Sequence, residues 1–154
     1  MKSAAFGGLD HMEGRPDRKL LLFSAVLLIA GTAVYWVAQR YHEERGVTPN
    51  EVFTAYANSN TWMLVHAVQF AGSGIVIFGL LALFFALNIN SGIRDLVNRF
   101  AAASAVVAFA LNGILYAVDG IALKQAVDAW VSAPASEQPA YFAVVQEIRG
   151  LSGE

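Results

Sequence analysis

The chain has 154 residues, a formal net charge of −2 and no cysteine. Hydrophobic residues make up 56% of it and charged residues only 14%, whereas an ordinary soluble domain carries about 25% charged residues. Such an apolar surplus needs lipid, and the missing thiols exclude disulfides, thiolate nucleophiles and thiolate-bound clusters.

Residues 1–19 combine three glycines, Pro16 and mixed charges without periodicity, the pattern of a flexible cytoplasmic lead rather than a domain. From Leu20 to Gln39 an uncharged apolar run follows, bounded by Lys19 and Arg40. It is too long for the roughly 7–15 residue core of a signal peptide, and Trp36–Gln39 is a poor cleavage site, so a retained first span is expected. Next, Thr48-Pro49-Asn50-Glu51 has the form of a helix start, with a Thr cap, proline at the first position and a glutamate able to bond back to the cap amide. Val52, Phe53 and Tyr56 fall on one face of this short helix and are expected to lie against the membrane surface, before Asn58–Thr61 breaks it.

Trp62 to Leu87 is the longest apolar run, inside a stretch without formal charge from Val52 to Ile93. As a helix it extends roughly 39 Å at about 1.5 Å per residue, enough to cross a hydrocarbon core of about 30 Å. A tight turn is expected over Asn88–Asp95, marked by Asn90-Ser91-Gly92, making the second and third spans antiparallel neighbours. The third span covers residues 100–123 and its helical pattern runs on to about Val131, where Pro134 stops it. Ser136 is placed to cap a last helix reaching Gly150, with Tyr141, Val144, Val145 and Ile148 on one face. That helix, within residues 132–154, is expected to lie on the outer interface, to pack on the bundle or to lead into further spans. The expected fold is all-α: a bundle over residues 20–131 with three transmembrane helices and short interfacial helices.

Basic residues near spans favour the cytoplasmic side. Arg15, Arg18 and Lys19 directly precede the first span and Arg94 and Arg99 mark the second turn, so the N-terminus is expected inside. Trp36, Trp62 and Trp130, with Tyr35 and Tyr41, then form an outer aromatic belt. Gly72 and Gly74 beside Ala67 and Ala71, and Ala101 to Ala105, provide small residues for close helix packing.

Inside the spans, Trp62, His66, Gln69 and Ser73 are spaced four, three and four, while Asn112, Tyr116 and Asp119 are spaced four and three. Each set makes one polar stripe on a helix. With Ile75 and Asn112 at the midplane, His66 and Asp119 lie roughly 13 and 10 Å outward, at matching depth. A cluster of His66, Gln69, Asn112, Tyr116 and Asp119 is therefore expected, with a His66–Asp119 contact geometrically reasonable. Quieter roles stand beside it: Asp119 as a hydrated helix end, His66 as a neutral imidazole between helices, and the amides as helix-to-helix glue. Lys124 and Asp128, four apart, are expected to form a solvated surface pair.

HAVQFAG (His66–Gly72) and VDGIALKQAVDAW (Val118–Trp130) resemble segments of a family of uncharacterised bacterial integral membrane proteins with about six spans. The similarity covers most of Trp62 to Arg149. It implies a bacterial plasma-membrane protein of which this chain is the N-terminal part, and it carries over no activity, substrate or site residue.

No phosphate loop, nucleophile elbow or zinc-binding His/Glu pair appears, so no enzymatic activity, metal or cofactor is expected. The expected partners are the lipid bilayer and other helices or copies of the chain, with no nucleic acid. A structural or accessory membrane protein is the leading expectation. A small transporter or ion pathway using His66 and Asp119 is the alternative. A haem-binding anchor is third, because His11 and His42 fall outside the spans and leave His66 without a second axial histidine.

Overall fold

The computed structural model describes residues 16–42, 46–87, 89 and 92–152. The lead up to Arg15, the acidic pair Glu43–Glu44 and Asn90–Ser91 of the second turn lie outside the described residues. The fold is all-helical. Helices α1 (Arg18–Gln39), α3 (Trp62–Leu87) and α4 (Gly92–Ala117, with its helical path running on through residue 132) are long and apolar enough to cross a membrane. Three shorter helices, α2 (Pro49–Asn58), α5 (Lys124–Ser132) and α6 (Gln138–Ser152), gather at the end of the bundle where α1 finishes and α3 begins. Between α4 and α5 the helix widens into a π-helical segment, Val118–Leu123, which sequence periodicity did not foreshadow.

The first helix starts two residues earlier than its apolar run, because Asp17 caps it. Its carboxylate accepts from the Lys19 and Leu20 amides at 2.9 and 3.2 Å. The Asp17 amide in turn donates to the Ala86 carbonyl at 3.0 Å, tying the start of α1 to the end of α3. α1 lies along α3 through small residues. A Cβ on Gly31 would stand 2.7 Å from the Gly72 carbonyl oxygen and 2.8 Å from Val76, so the two backbones touch. Further along, the buried Ser24 hydroxyl donates to the Gly79 carbonyl at 2.8 Å. Gly74, by contrast, faces the Phe109 ring of α4.

α4 begins at Gly92, whose φ of 68° lies in the left-handed region open to glycine. The turn is therefore shorter than Asn88–Asp95, and residues 93–99 are helical, with Arg99 Nε donating to Asp95 at 2.9 Å one turn away. α6 begins at Gln138 rather than directly after Ser136, because the Glu137 and Gln138 amides both turn back to the Pro134 carbonyl.

The short helices form a cap with its own apolar core. Phe53, Tyr56, Trp62, Leu123, Val127 and Val145 are all but inaccessible, and Trp130, Phe142 and Ile148 pack around them. Three expectations change accordingly. Phe53 and Tyr56 do not rest on lipid, because α5 and α6 cover them. Trp62 is a core residue rather than a belt anchor, while Trp36 and Tyr41 remain exposed as a belt requires. Lys124 is no solvated surface group: its ammonium donates to the Ala57 carbonyl and to Asp128, both at 2.7 Å, and so stitches α5 to α2.

On α6 the packed residues are Phe142, Val145 and Ile148, whereas Val144 is 52% exposed. Arg149 closes the cap, lying over the Phe53 and Tyr56 rings at 5.7 and 5.6 Å and donating to the Tyr56 hydroxyl at 3.2 Å. The expected capping box on α2 is present, with Glu51 Oε2 accepting from the Thr48 amide at 3.1 Å and the Glu51 amide donating to the Thr48 hydroxyl.

Candidate functional site

Where the cap meets the spanning helices, three ionisable side chains from three elements converge. His66 stands one turn into α3, Asp119 on the π-helical segment, and His42 just beyond the end of α1. His66 Nε2 lies 2.7 Å from Asp119 Oδ2 and 3.3 Å from His42 Nε2, and His42 Nε2 lies 4.0 Å from the same carboxylate oxygen. The histidines are 4% and 6% exposed and Asp119 15%, so the cluster is largely withdrawn from water.

Local structure explains how each residue arrives. The last turn of α1 tightens, with the Arg40, Tyr41 and His42 amides donating to carbonyls three residues back. That tightening turns His42 inward, where its ring lies 4.9 Å from the Trp62 ring and 5.0 Å from the His66 ring. On the other side, the π-helical widening re-aims Asp119 toward α3, a use common for such bulges near functional groups. The Trp62 indole donates to the Asp119 carbonyl at 3.0 Å and holds the widened turn against α3. Next along, Gly120 lies so near that a Cβ there would be 2.6 Å from the His66 Cβ.

The protonation pattern follows from the partners. His66 Nδ1 is 2.9 Å from the Trp62 carbonyl oxygen. A carbonyl only accepts, so Nδ1 carries the hydrogen and donates. In a neutral imidazole Nε2 is then a bare lone pair, and a lone pair 2.7 Å from a carboxylate oxygen is repulsive. Something positive must stand between them, either a proton shared by imidazole and carboxyl or a metal ion. Asp119 Oδ1 is buried with no hydrogen-bond partner among the described residues.

The other expected members separate from this centre. Gln69 turns toward α1, where its amide donates to Gln39 Oε1 at 2.6 Å. Tyr116 borders the cluster, with its ring centroid 6.3 Å from His66 and 5.9 Å from Phe70. Asn112 lies half-buried about 10 Å along α4 from Asp119, two turns away, and is not brought in. His42 and Gln39 were missed because both sit where the first apolar run gives out, and a span boundary does not say that the chain folds back. A signal existed: counted by depth, the end of the first run and the start of the second coincide.

His42 also corrects the objection to two histidines meeting in one chain. The arrangement still does not suit haem, whose axial nitrogens stand roughly 4 Å apart at about 2 Å from the iron with a flat ring between them. Here the nitrogens are 3.3 Å apart and the Asp119 carboxylate flanks them. A cavity of about 250 Å³ opens beside the cluster between α3 and α4, walled by Met63, His66, Phe70, Gly113, Tyr116 and Ile121. No protein-family model, curated protein or solved structure matches the chain.

Proposed function

We propose that this chain is an integral plasma-membrane protein, N-terminus inside, that takes up and releases a cation at the His42–His66–Asp119 cluster as a station on an ion or proton pathway. The observation that carries this is the 2.7 Å approach of His66 Nε2 to Asp119 while Nδ1 is committed to the Trp62 carbonyl. The contact is satisfied only with a positive charge in it, so the occupancy of that charge is what the site can vary. Ionisable groups cost several kcal/mol in a membrane interior and mark ion routes there.

Flux in proteoliposomes tests it. Asp119→Asn removes the carboxylate charge at nearly constant shape and is expected to abolish proton- or metal-driven flux while the helical signal and detergent melting persist. Unchanged flux in a folded Asn variant overturns the proposal.

A purely structural role is favoured by a different pair of contacts, the Trp62 indole on the Asp119 carbonyl and Gly120 against His66, which fasten the cap to α3. In that case the wild-type protein passes no more ions than empty vesicles, and Asp119→Asn lowers the melting temperature only.

A further inference from the structure

We propose that the cation is a divalent transition metal, with zinc the best fit, bound by His42 Nε2, His66 Nε2 and Asp119 Oδ2 and leaving a fourth position open. This rests on the cation-binding role above and names its ligand.

Geometry is the first support. Zinc bonds of about 2.0–2.1 Å in a tetrahedron put neighbouring ligand atoms roughly 3.3 Å apart. The two imidazole nitrogens are separated by 3.3 Å, and the oxygen edges of 2.7 and 4.0 Å bracket that value. All three ligand atoms fall within the span that one ion can bridge.

Donor chemistry is the second. Two imidazoles with one carboxylate suit zinc and its first-row neighbours, whereas magnesium and calcium take all-oxygen sites. At His66 the outer shell has the form that metal-binding histidines adopt, with the far ring nitrogen donating to the Trp62 carbonyl and so aiming the other lone pair at the ion. Asp119 Oδ1, buried without a hydrogen-bond partner among the described residues, is available as a second carboxylate donor. Such an atom is costly to keep unless a ligand takes it up.

Charge and access are the third. Two neutral imidazoles and one carboxylate leave a divalent ion with a net positive charge, which favours water, hydroxide or another small donor as fourth ligand. The cavity walled by His66 and Tyr116 offers that ligand a place on the α3–α4 side. The ligands stand 24 and 53 residues apart in the chain, so binding joins α1, α3 and the π-helical segment and stabilises the fold by mass action.

The test uses the full chain, purified in detergent and stripped with chelator, then titrated with zinc by calorimetry and with cobalt(II) by visible absorption. We expect one zinc per chain, an intense tetrahedral cobalt spectrum and a saturable rise in melting temperature. Asp119→Asn and His42→Gln each weaken zinc binding by at least about 10- to 100-fold. His42→Gln lies beyond the end of α1, so it reports on ligation even where a change within α3 prevents folding. Absence of stoichiometric zinc, or full affinity retained in both His42→Gln and Asp119→Asn, overturns the proposal. A wild-type protein that binds no zinc yet shows Asp119-dependent proton flux removes the metal and leaves the cation pathway standing. One that binds zinc without any flux removes the pathway and leaves the metal site.

Discussion

At the scale of single residues, the cluster depends on a side chain that is missing. Gly120 sits where any Cβ would fall 2.6 Å from the His66 Cβ, a distance that real contacts do not tolerate. Both atoms are anchored directly to backbone, so neither can rotate away and the helices themselves must part. Gly120→Ala is therefore expected to push the π-helical segment off α3, lengthen the His66–Asp119 contact and cost about 1–3 kcal/mol of stability, in the range of other overpacked sites. Melting in detergent together with the near-ultraviolet signal of Trp62 checks this, and a variant as stable as wild type with an unchanged Trp62 environment contradicts it. Spacing put His66 and Asp119 within reach of one another, because a helix places residues four and three apart on one stripe, but that they meet was not legible. Gln69 and Asn112 were legible as polar members of the same stripes but not by partner. A stripe more than a few residues long spans more of the helix face than one neighbour can cover.

At the scale of elements, α2 is the part that the sequence specifies most locally. Thr48, Pro49 and Glu51 occupy the first turn in the expected order, and the start of the helix depends on nothing more distant. Amide donors at Val47 and Thr48 hold the Glu51 carboxyl below its ordinary value of 4.5. A carboxyl with a lower pKa folded than unfolded adds stability above the unfolded pKa and loses it as pH falls through the folded one. The capping contribution of Glu51 should thus be complete near neutrality and fade below about pH 4.5. Measured by amide exchange in α2, Glu51→Gln should differ from wild type at pH 7 and converge with it in acid, the gap being small because Glu51 is exposed. A difference that persists or grows in acid contradicts this. The partners of α2 were not legible. Its apolar face fits lipid or protein equally well, and only the return of α5 and α6 decides for protein.

At the scale of the whole molecule, two kinds of apolar surface coexist. In the cap, large side chains such as Phe53, Tyr56 and Val127 are sealed from solvent. Along the spanning helices, Leu22, Ile29, Phe78 and Leu111 stand more than half exposed, and α4 buries none of its residues fully. Exposure of that extent on helices this long is compatible with a bilayer. Single cysteines, convenient in a chain that has none of its own, separate the two environments. Val47 is 97% and Ile29 72% exposed in the protein, yet only Val47→Cys is expected to react with a membrane-impermeant maleimide in proteoliposomes. Ile29→Cys should react only after denaturation, and equal labelling rates at the two positions contradict a membrane-spanning α1.

The all-helical class, the three apolar helices and the polar groups that share a stripe on one helix could all be read from the amino-acid order. Those properties are set by hydropathy, helical periodicity and capping within each segment. Which groups meet could not be read that way and emerges from the folded chain. The tightened end of α1 carries His42 inward, a π-helical turn re-aims Asp119, and glycine contacts at Gly31, Gly72 and Gly120 set how closely the backbones approach. The glycine contacts join segments remote in the chain, the two local changes of helix geometry bring their side chains together only against neighbouring helices, and a centre drawn from α3, the π-helical segment and the end of α1 exists only in that packing.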